Sequence, residues 1–390
     1  MLIELSSDQH LAQDLLLDWY RAKDRPQFIT LGGYAGTGKT TLLAFFRRAL
    51  HKNQASLRVA FCSYTGKATQ VLRKKLFDHG AVFGGDETRT IHSLIYKAVT
   101  NVHGQIIGWK RRAQSEVEFD LLVVDEASMV DAELWQDLLF FELPIIAVGD
   151  HGQLPPVSGS FNLMDNPQLR LEKIHRQAED NPIIKLSVMA REHGAIGHGD
   201  YGGGVRKMTM EDAADPLENI FRTFTGDYML LCGYNATRVR LNSMVRGALG
   251  FASPLPSIND RVICLRNNRD KEVYNGMLGY LKELSKLAGD KYKATIVMDS
   301  FSGDFLYEGI ISSEQFNSST TLNNIAGYAK TKAMDLFDFG YALTVHKAQG
   351  SQAKKVVLFE ERFARQDEAM WRRWLYTGIT RAEEELLLIG

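Results

Sequence analysis

Residues Gly33-Tyr34-Ala35-Gly36-Thr37-Gly38-Lys39-Thr40 carry the strongest chemical signal in the chain, the pattern G-x-x-x-x-G-K-[ST] of a phosphate-binding loop. Glycines let successive backbone N–H groups turn inward onto phosphate oxygens, and a following helix adds its positive end. Lys39 is long enough to reach the β- and γ-phosphates of a nucleotide, and the Thr40 hydroxyl suits a Mg²⁺ ion. Gly33, Ala35, Gly36, Thr37, Gly38, Lys39, Thr40 and Thr41 are therefore the candidate nucleotide-binding residues. A second signal is Asp125-Glu126, directly after an apolar run. Asp125 suits the metal ion, directly or through water, and Glu126 suits deprotonation of an attacking water. A third is Val148-Gly149-Asp150-His151-Gly152-Gln153-Leu154-Pro155-Pro156-Val157, in which the Gln153 amide can donate to a γ-phosphate oxygen and accept from the lytic water. Taken singly, an acidic pair is more often a solvated strand end, and a Pro-stiffened loop carries no chemistry; the phosphate loop makes both of them candidates.

These groups need strands that end at one place. Up to about residue 170, short apolar runs alternate with amphipathic helical stretches. Strands are expected at 28–31, 57–62, 119–124 and 144–148, and helices at about 40–50 and 67–77. That rhythm implies a parallel sheet with helices on both faces, and ligands of such sheets sit at the carboxyl ends of the strands. Two stretches break the rhythm. One is 97–117, with a hairpin turning at His103-Gly104. The other is 260–333, with strand-like runs at 261–265 and 293–297 and a tight-turn pair, Asn275-Gly276. The expected organisation is a first α/β lobe at 1–170, a second at 171–259 plus 334–390, and a small β-rich insertion at 260–333.

Bulk composition agrees with a folded, multi-domain protein. A chain of 390 residues exceeds one ordinary core, and 45% hydrophobic with 24% charged residues is the balance of a globular protein. No apolar run reaches the ~18 residues that span a membrane, and the first residues do not read as a signal peptide. Cys62, Cys232 and Cys264 are few and scattered, which argues against disulfides or a zinc site and for a reducing, cytoplasmic setting. The net charge of −1 counts slightly against a nucleic-acid partner, yet a groove needs only local positive charge.

Further segments extend the series. They are Thr65-Gly66-Lys67-Ala68, Thr90-Ile91-His92-Ser93-Leu94, Lys173-Ile174-His175-Arg176-Gln177, Tyr341-Ala342-Leu343-Thr344-Val345-His346-Lys347-Ala348-Gln349-Gly350-Ser351 and Tyr376-Thr377-Gly378-Ile379-Thr380-Arg381-Ala382. With the three above, and in this order, they resemble the motifs of the RecD-like and Dda-like helicases on the 5′-to-3′ branch of superfamily 1. The form of the 149–157 segment is the one typical of that branch. Each motif alone is weak; the ordered set is specific and covers most of the chain.

The resemblance implies two RecA-like lobes with ATP and Mg²⁺ between them, Arg176 and Arg381 acting as arginine fingers on the γ-phosphate, and Gln9 reading adenine. It places Thr65, Lys67, Thr90, His92, Thr344, His346 and Lys347 on the backbone of single-stranded DNA. It makes the hairpin a wedge at forked duplex, with Trp109 stacking on the terminal pair and Lys110, Arg111 and Arg112 on phosphates. The insertion corresponds to a small β-barrel. The implied activity is ATP-dependent unwinding by 5′-to-3′ translocation, by a monomer in the cytoplasm, in company with replication or recombination proteins. The competing readings are a translocase that strips bound proteins with little unwinding, and a regulatory ATP-binding subunit of a DNA-processing complex. Backbone contacts alone would also admit RNA.

Overall fold

Strict in-and-out alternation builds the first sheet. Ile29, Leu31, Val59, Phe61, Leu121, Val123, Ile146 and Val148 enter one apolar cluster, while their neighbours Ala60, Cys62, Leu122, Val124, Ile145 and Ala147 enter another. A strand turns successive side chains to opposite faces, so these runs must be covered on both sides. The computed structural model describes residues 4–100, 106–156, 161–173, 180–268, 271, 273–299, 305–320, 322 and 334–390, leaving aside the side chains of 98–100 and 106–109. The chain forms two units, Met1–Asp180 and Asn181–Gly390.

In the first unit the elements run α1 (Ser7–Arg21), β1 (Phe28–Gly33), α2 (Lys39–Asn53), β2 (Val59–Ser63), α3 (Gly66–Asp78), β3 (Glu87–Thr90), α4 (Ile91–Ile95), β4 (Tyr96–Thr100), β5 (Ile106–Arg111), β6 (Leu121–Asp125), α5 (Ala132–Leu139), β7 (Ile145–Gly149) and β8 (Leu169–Leu171). Its sheet has the order β3-β2-β6-β7-β1-β8, and the pairings are parallel. Helices α1, α2 and α3 cover one face; α4 and α5 cover the other. β4 and β5 pair only with each other among the described residues, as the expected antiparallel hairpin. Its expected turn, His103-Gly104, lies outside the described residues. β8 adds to β1, so the first unit continues past the expected boundary at 170.

The second unit contains α6 (Pro182–His193), β9 (Gly199–Gly202), β10 (Val205–Met208), α7 (Ala214–Arg222), β11 (Tyr228–Cys232), α8 (Asn235–Ala248), β12 (Arg261–Cys264), β13 (Leu278–Lys286), β14 (Lys291–Met298), β15 (Phe305–Ser312), β16 (Phe337–Phe339), β17 (Ala342–Thr344), β18 (Ala353–Phe359), α9 (Glu368–Ile379) and β19 (Ala382–Ile389). Asn181 caps α6, Pro182 starts it, and Gly194 closes it in the left-handed conformation. A second sheet runs β17-β11-β18-β19-β10-β9, parallel except for β9.

The insertion is a five-stranded antiparallel sheet, β15-β14-β13-β12-β16. A bridge between Ile311 and Asp335 ties β15 back toward β16, which curls the sheet on itself. Because β16 pairs with β12, the insertion extends beyond residue 333 to Phe339. Its inward residues Val262, Leu281, Ile296, Phe337 and Phe339 join the cluster that also holds Leu230, Val357 and Leu241, so insertion and second sheet share one core. No helix among the described residues is long and apolar enough to cross a membrane.

Candidate nucleotide site and strand-contacting segments

Register brings the first-unit motifs to one sheet edge. Thr90 is the partner of Ser63, and Ser63 of Asp125; Val124 pairs with Ala147 and Gly32 with Gly149. All of these strands are parallel, so the phosphate loop, the acidic pair, the 149–153 loop and the turns after Ser63 and Thr90 leave from the same side of the sheet. That is the side on which open α/β sheets bind ligands.

The loop from Tyr34 to Gly38 joins β1 to the first turn of α2. Gly36 and Gly38 sit at φ 80 and 73, where a side chain is strained. A Cβ on Gly33 would stand 2.6 Å from Thr37 Oγ1. Thr37 is fully buried, and its hydroxyl donates to the Tyr34 carbonyl at 2.8 Å. Lys39 Nζ folds back on the loop, donating to the carbonyls of Gly33 at 2.7 Å and Tyr34 at 3.1 Å. Gln9 is fully buried beneath the same loop. Its Nε2 donates to the Thr37 and Gly38 carbonyls at 3.1 and 3.3 Å, and its Oε1 accepts from Ser6 N–H at 2.9 Å. The nitrogen end of that amide braces the loop and the oxygen end holds the start of α1, so an adenine contact would have to displace these bonds.

Asp125 ends β6, and Glu126 follows at φ 55, an uncommon left-handed conformation for a side chain of this kind. Glu126 N–H donates to Asp125 Oδ1 at 3.0 Å. Desolvation pushes the Asp125 carboxyl up, against the opposing pull of that N–H and of the Lys39 ammonium. A desolvated carboxylate within electrostatic reach of Lys39 has the chemistry that a divalent cation satisfies. Among the described residues no group of three or more His, Cys, Asp or Glu could hold a metal alone. A hard ion that takes most of its ligands from phosphates and water needs none.

Gln153 is nearly buried, at 5% exposure. Its Nε2 donates to Asp150 Oδ2 at 3.2 Å, while Asp150 Oδ1 accepts from Gly152 N–H at 2.9 Å. Gln153 Oε1 is buried and has no hydrogen-bond partner among the described residues, and the same holds for Ser128 Oγ. Buried polar atoms without partners are rare, and these two lie in the motif loops that meet at the nucleotide edge. The orienting role of Asp150 and the orphan Ser128 hydroxyl were not legible in the sequence, since each depends on which face the loop turns inward. The rings of Tyr34 and His151 lie 4.0 Å apart, joining the phosphate loop to the 149–153 loop.

Thr65 and Thr90 cap α3 and α4, their oxygens accepting from Ala68 and Ser93 N–H at 3.2 Å each. Capping uses an oxygen lone pair, and a hydroxyl also carries a donor hydrogen. Lys67 lies in the first turn of α3. The His92 ring is 5.8 Å from those of Tyr64 and Tyr96. Trp109 pairs with Ala98 in the hairpin, but its side chain lies outside the description. Arg111 is not left to solvent: it pairs with Asp137, and its guanidinium covers the Phe140 ring at 3.7 Å. Arg176 lies outside the described residues.

In the second unit Thr344 ends β17 and caps the next turn, accepting from Lys347 N–H at 3.3 Å. Lys347 Nζ donates to the Asn275 side chain, so the turn of the insertion meets this segment. Burial lowers the Lys347 ammonium to about 8 and moves His346 down as well. Arg381, 4% exposed, bonds its own neighbourhood: Thr377 O at 3.0 Å, Ser351 O at 3.1 Å and Thr380 Oγ1 at 3.1 Å.

Residues 15–207 match a family model described as an AAA domain, and residues 339–389 match the UvrD-like helicase C-terminal domain. The chain is 27% identical to the ATP-dependent RecD2 DNA helicase of Deinococcus radiodurans over 389 residues, covering 93% of this chain and 47% of that protein. It is 23% identical to the ATP-dependent DNA helicase dda of Enterobacteria phage T4, covering 94% of this chain and 95% of that one. It thus spans about half of the first relative and nearly all of the second. A Pif1 helicase from Bacteroides, solved with ADP-AlF3 and single-stranded DNA, shares its fold at a TM-score of 0.56, with 18% identity over 99% of this chain and 92% of that one. Pif1 helicases solved for unwinding at forked duplex DNA match at 0.57, with 19% identity and the same coverage.

Proposed function

Because the chain belongs to the superfamily 1 helicases of the RecD, Dda and Pif1 type, we propose that it hydrolyses ATP to move 5′-to-3′ along single-stranded DNA and to separate duplex ahead of it. The observation that carries the reading is the first-unit sheet edge, where phosphate loop, acidic pair and the Gln153 amide leave neighbouring strand ends. Lys39 swings from its loop carbonyls onto the β- and γ-phosphates, while the loop N–H groups hold the phosphate oxygens. Thr40 and Asp125 would hold Mg²⁺, whose chemistry there would be charge neutralisation on those phosphates. Glu126 takes the proton of the attacking water, and Gln153, its amide turned by Asp150, accepts from that water through Oε1. Arg176 and Arg381 keep the γ-phosphate role that the motif resemblance assigns them.

Thr65, Lys67, Thr90, His92, Thr344, His346 and Lys347 take the strand's phosphates and sugars, and the β4–β5 hairpin meets the fork. Duplexes carrying a single-stranded tail on one end test motor, wedge and direction together. The expected outcome is ATP-dependent strand separation with a 5′ tail and none with a 3′ tail, abolished by Lys39→Ala. Separation confined to the 3′-tailed duplex overturns the polarity; DNA-stimulated hydrolysis with no separation of either leaves a translocase.

A further inference from the structure

The hairpin of β4 and β5 has a weak point that the fold addresses at one side chain. A two-stranded ribbon is marginally stable alone in water. Tyr96 and Arg111 form its first rung, facing each other across the register. The Tyr96 hydroxyl and the Arg111 guanidinium both end on Asp137, one on each carboxylate oxygen. Arg111 is then covered by Phe140, and Gln114, just past the hairpin, donates to the Phe140 carbonyl at 2.6 Å. Arg112 N–H to the Ile95 carbonyl at 2.8 Å and Lys97 to Glu116 at 2.8 Å complete the base.

Asp137 belongs to α5, whose opposite face is fixed. Leu134, Trp135 and Leu138 are buried in the sheet's second cluster, and Trp135 meets Phe28 at 5.2 Å between ring centroids. The helix is capped by Asp131, which accepts from Leu134 N–H at 2.9 Å, and only the short 127–129 turn separates it from the Asp125-Glu126 pair. Fewer than two helical turns, roughly 9 Å at 1.5 Å per residue, separate the cap from the carboxylate. The hairpin base is thus tied to the acidic pair through one short rigid element.

We propose that Asp137 is a positioning residue for strand separation: its carboxylate latches the hairpin base to α5, so that motion generated at the nucleotide edge is delivered to the duplex. This rests on the helicase reading above. It also assigns Arg111 a task other than the phosphate contact expected from sequence. With the latch open, the protein hydrolyses ATP and travels on single strands but separates fewer base pairs per ATP.

The test compares the wild type with Asp137→Ala and with Tyr96→Phe, which removes a single hydroxyl. Hydrogen exchange reads the hairpin itself. Loss of charge-assisted bonds is expected to speed exchange of the β4 and β5 amides in Asp137→Ala by about 10-fold or more, leaving β1 and β6 unchanged. DNA-stimulated ATPase and displacement of streptavidin from single strands are expected to stay within about twofold, while base pairs opened per ATP fall several-fold; Tyr96→Phe moves the same way by less. Unchanged hairpin exchange overturns the latch. Faster exchange with undiminished opening per ATP overturns the coupling, as does an ATPase loss equal to the unwinding loss. If the wild type itself fails to open a fork, the helicase reading fails, and hydrogen exchange still decides the latch.

Discussion

Replacing Asp260 by alanine should destabilise the second unit selectively. Asp260 is fully buried and accepts from Arg246 Nε at 2.8 Å, Arg246 Nη2 at 3.0 Å, Ser257 N–H at 2.7 Å and the Tyr341 hydroxyl at 2.8 Å. Arg246 is 4% exposed, and its guanidinium lies 4.1 Å from the Phe339 ring centroid. The substitution leaves that cation buried against an aromatic ring with no counter-charge, and two further donors without their acceptor. Breaking one side of a buried pair costs about 3–5 kcal/mol, on the order of a thousandfold in the folding equilibrium. Urea unfolding followed by hydrogen exchange, which reads the two units separately, measures it.

The double variant Arg246→Met with Asp260→Leu removes the orphaned charge and should recover part of the loss. Recovery stays incomplete because Arg246 also donates to the Ser253 and Leu255 carbonyls at 2.7 and 2.8 Å. A loss below about 1 kcal/mol in the single variant, or a double variant no better than the sum of its parts, would refute the reasoning. The network joins Asp260, where the chain enters the insertion, to Tyr341, where it leaves, so it staples the insertion onto the second sheet.

Lys347, lowered to about 8 by burial, gives a pH signature. Its cation is present below that pH and lost above it, so affinity for single strands should fall as pH rises through about 8, and Lys347→Arg should flatten the dependence. Lys347→Gln should reduce the salt slope of binding by about 1; an unchanged slope removes this residue from the strand. The sign for stability is opposite: between about 8 and the ordinary 10.5 the unfolded chain holds the extra proton, so this group's contribution improves with rising pH. Cys62, Cys232 and Cys264 are buried, and desolvation pushes each thiol to about 12. A disulfide reagent at pH 8 should therefore find no reactive thiol in the native protein and all of them in urea; rapid native labelling of any one would contradict its burial.

What was legible in the sequence is what neighbours along the chain decide. The phosphate loop is a strand, a turn and a helix in succession, and the structure shows β1, the turn with Gly36 and Gly38 at positive φ, and α2. Apolar alternation announced a sheet covered on both faces, because a strand's period is a property of the backbone alone. The hairpin at 96–111 and the β-rich insertion were legible as breaks in that rhythm.

Partnerships across the chain were not legible. Gln9 is assigned to adenine by the motif resemblance, and only folding brings it beneath carbonyls at 37 and 38. Arg111 reads as a phosphate contact on the expected hairpin, and only α5 supplies the carboxylate that takes it. β8 and β16 are three residues each, too short for a periodic signal, so the pairing of β8 with β1 and of β16 with β12 appears only in the fold. Local pattern is set by steric period and propensity. Buried charge is settled by whichever partner the fold brings within hydrogen-bond reach, and that is decided by register between distant strands and helices.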